Sequence, residues 1–172
     1  MAAPLRVLIV DDSAFCRRSL ADVLGAESDI QLVGKAADGE EALRIALQIK
    51  PDVITLDLHM PRLDGLSFLR ILMAKEPTPV IIVSRYTRES EIEHARKLGA
   101  VAYVPKPAAG PMMTEEPFRS ELLQHVRRAR SVGPLRKRAD PAASLPTVPP
   151  ASEPGPASQA PSALRYLIAM HG

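Results

Sequence analysis

The chain has 172 residues, with 22 basic and 20 acidic side chains and one cysteine, enough for one well-buried domain with chain to spare. One cysteine excludes an internal disulfide framework and fits a reducing compartment. The balanced charge gives no sign of an acidic or basic partner, and no apolar run approaches a membrane span, so a cytoplasmic location is expected.

The first element is the apolar run Leu5 to Val10, closed by Asp11 and Asp12. Helical spacing follows in Cys16, Leu20, Val23 and Leu24, ended by Gly25. A second strand is predicted over Ile30 to Ala36, then a helix through Leu43, Ala46 and Leu47, opened by Asp38 with Glu41 as a capping box. A third strand, Val53 to Asp57, precedes a turn at Asp64 and Gly65, where Asp64 caps a helix through Leu66, Leu69, Leu72 and Met73. A fourth, Val80 to Ser84, precedes a helix through Ile92, Ala95 and Leu98 that ends at Gly99. The fifth strand, Val101 to Val104, leads to Lys106, and a last helix carries Phe118, Leu122 and Val126, with Thr114, Glu115, Glu116 and Pro117 reading as its start.

Four of the five strands are nearly continuous apolar runs, as expected when both faces are covered. Right-handed crossovers then give an α/β domain, (βα)5, a doubly wound parallel five-stranded sheet in a flavodoxin-like three-layer sandwich. It spans residues 1–130, which hold 18 basic and 18 acidic side chains. Residues 131–172 are read as a linker or tail: 134–163 contain 8 of the 17 prolines and almost no large apolar residues, too little burial to offset ordering. Its last stretch, LRYLIAMHG at 164–172, resembles the opening strand of a second domain that stops short.

In such sheets ligands bind beyond the carboxyl ends of the strands, which brings Asp11, Asp12, Asp57, Ser84 and Lys106 to one edge. Two carboxylates about 4 Å apart repel by roughly 4 kcal/mol at an effective dielectric of about 20, so three need cations to stay ionised. Lys106 supplies one charge, and magnesium suits the rest, since it takes a few carboxylate oxygens, keeps waters and shares positions with phosphate. Asp57 is then the candidate nucleophile for phosphoryl transfer to a carboxylate.

These motifs, VLIVDDS at 7–13, DVITLDLHMPRLDG at 52–65, PVIIVS at 79–84 and GAVAYVPKP at 99–107, resemble the receiver domain of bacterial two-component response regulators, the CheY-like fold. Longer stretches, such as MPRLDGLSFL and LGAVAYVPKP, resemble more narrowly the N-terminal receiver of the chemotaxis protein-glutamate methylesterases, the CheB family. The resemblance implies that Asp57 is the phosphoacceptor, charged by a sensor histidine kinase of chemotaxis type. It implies that Asp11, Asp12, Asp57 and the backbone carbonyl of His59 hold Mg2+, and that Ser84, Tyr103 and Lys106 bind the phosphoryl group and switch. A cis Lys106–Pro107 bond is also implied. The output is then a shift of the face made by the fourth helix, fifth strand and fifth helix toward a protein target, with a homodimer of the phosphorylated form as one outcome. His59 and Tyr86 hold the positions that tune hydrolysis of the acyl phosphate in that family, and their bulk points to slow self-dephosphorylation.

The methylesterase chemistry itself is not expected here. No G-x-S-x-G elbow occurs and no esterase site residues are assigned, which leaves either a free-standing receiver or the regulatory half of a methylesterase without its catalytic domain. A magnesium-dependent aspartyl-phosphate phosphatase is the other rival, but that class wants an acid two residues after its nucleophile, where His59 stands. His94 and His125 read as solvated helix residues and Cys16 as a small helix residue. Arg127, Arg128 and Arg130 read as complements to a helix C-terminus, with Arg136, Lys137 and Arg138 keeping the linker solvated, rather than as a nucleic-acid surface.

Overall fold

The computed structural model describes residues 3–85, 87–107 and 116–132. Ten elements alternate along them: β1 (Leu5–Val10), α1 (Ala14–Gly25), β2 (Ile30–Ala36), α2 (Gly39–Ile49), β3 (Val53–Leu56), α3 (Gly65–Lys75), β4 (Val80–Ser84), α4 (Glu89–Leu98), β5 (Ala102–Pro105) and α5 (Phe118–Val132). The strands pair in parallel in the order β2-β1-β3-β4-β5. The order reverses between β1 and β3, which opens a crevice at their carboxyl ends.

Alternation along each strand divides the core. Val7, Ile9, Val53, Ile81, Val83 and Val104 face a cluster with Leu20 and Leu24 of α1 and Leu122 and Val126 of α5. The residues between them, Leu8, Val10, Ile54, Leu56, Val80 and Ile82, face Ala42 and Ala46 of α2, Phe68, Leu69 and Leu72 of α3, and Ala95 of α4. That two-sided burial is why β1, β3 and β4 read as nearly continuous apolar runs rather than alternating ones.

The expected helix ends hold in part. Asp38 caps α2 by accepting from the Glu40 and Glu41 N–H groups, 2.9 Å each, but the Glu41 carboxylate reaches back to Ala37 N–H instead of Asp38 N–H. Asp64 caps α3 through Ser67 N–H at 3.0 Å. Gly99 takes the left-handed conformation, φ 113°, that ends α4, whereas Gly25 is the last helical residue of α1 and Ala26 caps it in a right-handed conformation. Thr114 and Glu115 lie outside the described residues, as does everything from residue 133 in the expected tail. Arg127 does not serve the α5 C-terminus; it pairs with Glu27 and Asp29 in the turn between α1 and β2, at 2.6 and 2.9 Å. Sequence spacing along α5 could not reveal a partner a hundred residues away.

Candidate phosphoryl-transfer site

The strand ends bring the expected side chains together. Asp11 follows β1, Asp57 follows β3, Ser84 closes β4 and Lys106 follows β5; all four are buried. Asp57 N–H donates to Val10 O at 2.9 Å and Lys106 N–H to Ser84 O at 3.0 Å, so sheet pairing itself sets these residues side by side. Gly65 makes the β3 edge possible. A Cβ there would stand 2.6 Å from Leu58 Cα and still nearer the Asp57 carbonyl oxygen, so only glycine lets the first turn of α3 close on the Asp57 peptide.

Each oxygen of Asp57 has a partner. Oδ1 accepts from Ser84 Oγ at 2.6 Å and from His59 N–H at 3.1 Å, and Oδ2 accepts from Lys106 Nζ. Lys106 Nζ also lies 2.6 Å from Asp11 Oδ2, so one ammonium bridges two carboxylates whose side chains are 1% and 9% exposed. Burial pushes the Asp11 carboxyl above its ordinary value, with repulsion from Asp57 in the same direction, though Lys106 pulls against both. For Lys106 burial works to release the proton, but attraction to Asp11 and Asp57 outweighs it and holds the amine above its ordinary value.

The pocket has a donor set that fits a hard divalent cation. Carboxylate oxygens of Asp11, Asp12 and Asp57 lie within 4.8 Å of one another. Asp12 is exposed, and Asp11 Oδ2 is buried with Lys106 as its ionic neighbour but no hydrogen bond of normal geometry. All-oxygen ligands with one open side are the arrangement Mg2+ favours.

The other expected residues fall into place less tightly. Tyr103 is half-buried and packs against the α2, α3 and α4 cluster, as an ordinary strand residue also would. The His59 ring is half-exposed, with Nδ1 3.4 Å from Ser84 Oγ and Nε2 3.6 Å from Glu91 Oε1 of α4. Tyr86 lies outside the described residues. The expected cis bond at Lys106–Pro107 is not found: the cis X-Pro bond among the described residues is Glu116–Pro117. The two isomers of an X-Pro bond differ by only about 0.5–1 kcal/mol, too little for a motif to fix the choice.

Two arginines at this edge escaped the sequence reading. Arg17 Nη1 donates to Asp11 O at 2.6 Å and Asp12 O at 2.9 Å. Arg62, in the left-handed conformation at φ 63°, pairs with the buried Asp38 and ties the loop after β3 to the start of α2. The one signal for Arg17 was its position one helical turn past the Asp pair; Arg62 had none.

Comparison with known proteins agrees with this fold. Residues 7–116 match the response regulator receiver domain family. The chain belongs to that family. It is 47% identical over 139 residues to protein-glutamate methylesterase/protein-glutamine glutaminase 1 of Myxococcus xanthus, a match covering 81% of this chain and 40% of that protein. This receiver thus spans less than half the length of that relative. The response regulator domain of Thermotoga maritima CheB superposes with a TM-score of 0.72 at 41% identity, covering 76% of this chain and 99% of that one. A Borrelia burgdorferi CheX-CheY complex with BeF3 and Mg gives 0.64 at 30% identity, covering 74% and 90%. The chain is therefore a CheB-like receiver of two-component signalling with the five-stranded CheY-like fold.

Proposed function

We propose that this receiver takes a phosphoryl group on Asp57 from the phosphohistidine of a chemotaxis-type sensor kinase. The observation that carries the reading is the buried Asp57 carboxylate held between Ser84 Oγ, His59 N–H and Lys106 Nζ, beside two further carboxylates. An Asp57 oxygen forms the new O–P bond as the P–N bond breaks, and the departing imidazole keeps the N–P electron pair and takes up a proton. Lys106 Nζ offsets charge gathering on the phosphoryl oxygens, and Ser84 Oγ turns its proton from Asp57 toward one of them. Mg2+, held by Asp11, Asp12, Asp57 and the His59 carbonyl, supplies further charge neutralisation when bound.

The output follows from the same contacts. Once Ser84 and Lys106 engage a phosphoryl group, β4 and β5 are drawn toward it, and the α4-β5-α5 face, with Tyr103 on β5, changes population toward the form a protein target prefers. The match to less than half of a methylesterase favours one further reading, in which that target is the esterase domain of a longer protein.

Intact mass after incubation with acetyl phosphate and Mg2+ tests the assignment. A gain of one phosphoryl group is expected, absent without Mg2+ and absent in Asp57→Asn. A phosphorylated Asp57→Asn variant would move the acceptor elsewhere.

A further inference from the structure

Beyond β1 the strand pairing runs out just where the two carboxylates must be aimed. Asp11 N–H still donates to Ala36 O at 3.1 Å, but the Asp11 and Asp12 carbonyls stand outside the sheet, and one nitrogen of Arg17 takes both. Arg17 comes from the first turns of α1, whose start is fixed separately by Ser13 accepting from Cys16 N–H, and its side chain is half-buried. Ser13 N–H in turn donates to Asp11 Oδ1 at 2.9 Å, so the backbone segment that Arg17 grips is also the one that orients the Asp11 carboxylate.

We propose that Arg17 is a positioning residue of the Mg2+ site: by holding the Asp11 and Asp12 carbonyls it fixes the backbone from which both carboxylates point. The proposal rests on the reading of this pocket as a Mg2+ site. Arginine suits the task because it is permanently charged and offers several donors from one planar group.

Two effects of removing Arg17 have opposite signs. A guanidinium beside the pocket repels a dication, so its charge alone makes Mg2+ binding weaker, and neutralising it would tighten binding. Outer groups that hold metal ligands act the other way, and their loss typically weakens binding about 10- to 100-fold. The ion itself supplies a second discrimination. Mg2+ demands near-ideal octahedral geometry while Ca2+ accepts irregular ligand sets, so loosening the ligands harms Mg2+ more.

Calorimetric titration of the full chain with Mg2+ and separately with Ca2+, alongside thermal unfolding without metal, distinguishes these effects. Arg17→Gln is expected to lose about tenfold or more in Mg2+ affinity and less in Ca2+ affinity. Arg18→Gln removes the same charge from the exposed neighbour and is expected to match the wild type or bind slightly tighter. Wild-type or tighter Mg2+ binding by Arg17→Gln overturns the proposal, and so does an equal loss for both ions with lowered stability, which would mark a merely structural role. If Arg17→Gln fails to fold, the shorter Arg17→Lys decides: a lowered Mg2+ to Ca2+ affinity ratio is expected, and an unchanged ratio overturns the proposal. Failure of the wild type itself to bind Mg2+ would instead overturn the metal reading on which this one stands.

Discussion

The two ends of the sheet treat charge in opposite ways. At the carboxyl end Lys106 serves Asp11 and Asp57 together, with all three side chains at 9% exposure or less. At the amino end the paired charges sit nearer water, with side chains 18% exposed or more. Arg6 donates to the Lys50 and Ile49 carbonyls at the end of α2, 2.9 Å each, its own N–H donates to Asp52 at 2.8 Å, and Lys50 pairs with Glu76 at 2.9 Å. Glu27 and Asp29 hold Arg119 and Arg127 over the start of β1 and β2. Exposed pairs contribute little individually but cost little, whereas buried carboxylates sharing one cation sit at a deficit that a second cation relieves. The amino end adds small contributions at the surface; the carboxyl end gathers buried charge at some expense of stability.

The largest effect expected from this contrast is that of Lys106→Ala. It strands two buried carboxylates and should cost about 3–5 kcal/mol in urea unfolding without metal, with part regained at saturating Mg2+. A loss below about 1 kcal/mol would mean water already screens the pocket and the two ends are not different in kind. Arg6→Ala, which frees two helix-end carbonyls, should cost about 1–2 kcal/mol, and Mg2+ should change nothing there. Smaller again is Asp11→Asn. Because burial holds the Asp11 carboxyl above its ordinary value, its ionised form is disfavoured in the folded chain, and the neutral amide should raise the urea midpoint in metal-free buffer. A lowered midpoint would show that attraction to Lys106 outweighs burial.

Much of this contrast was legible in the sequence, unevenly. Apolar runs ended by Asp11, Asp57, Ser84 and Lys106 fix both the parallel sheet and the edge where they meet, because a two-sided core leaves β1, β3 and β4 few polar positions, Arg6 and Thr55 among them, until the strand stops. The fifth strand shifted by one residue, to Ala102–Pro105, as an edge strand only half-covered can. What stayed hidden depended on contacts between distant segments: Arg127 with Asp29, Arg62 with Asp38, and Lys106 with two carboxylates rather than one. Spacing along the chain carries no record of such pairings. Arg17 lies close in sequence to its partners and still escaped, because backbone carbonyls leave no mark in a motif.

Acid gives the finest test, since the two ends should answer it with opposite signs. Glu27 is held below its ordinary value of 4.5 by hydrogen bonds from Arg119 and Arg127. Its contribution is therefore present above that value and is lost as pH falls toward the folded-state one, where the unfolded chain binds the proton more readily. Asp11 is displaced the other way from 3.8, so between its unfolded and folded values the native chain binds the extra proton, and its contribution improves as pH falls. Urea midpoints followed from pH 7 to 3 in metal-free buffer should thus lose less in Glu27→Gln than in the wild type and more in Asp11→Asn. Shifts of the same sign in both variants would mean that the buried pocket and the exposed clamp respond to protons alike, and the distinction between the two ends of the sheet would fail on electrostatic grounds.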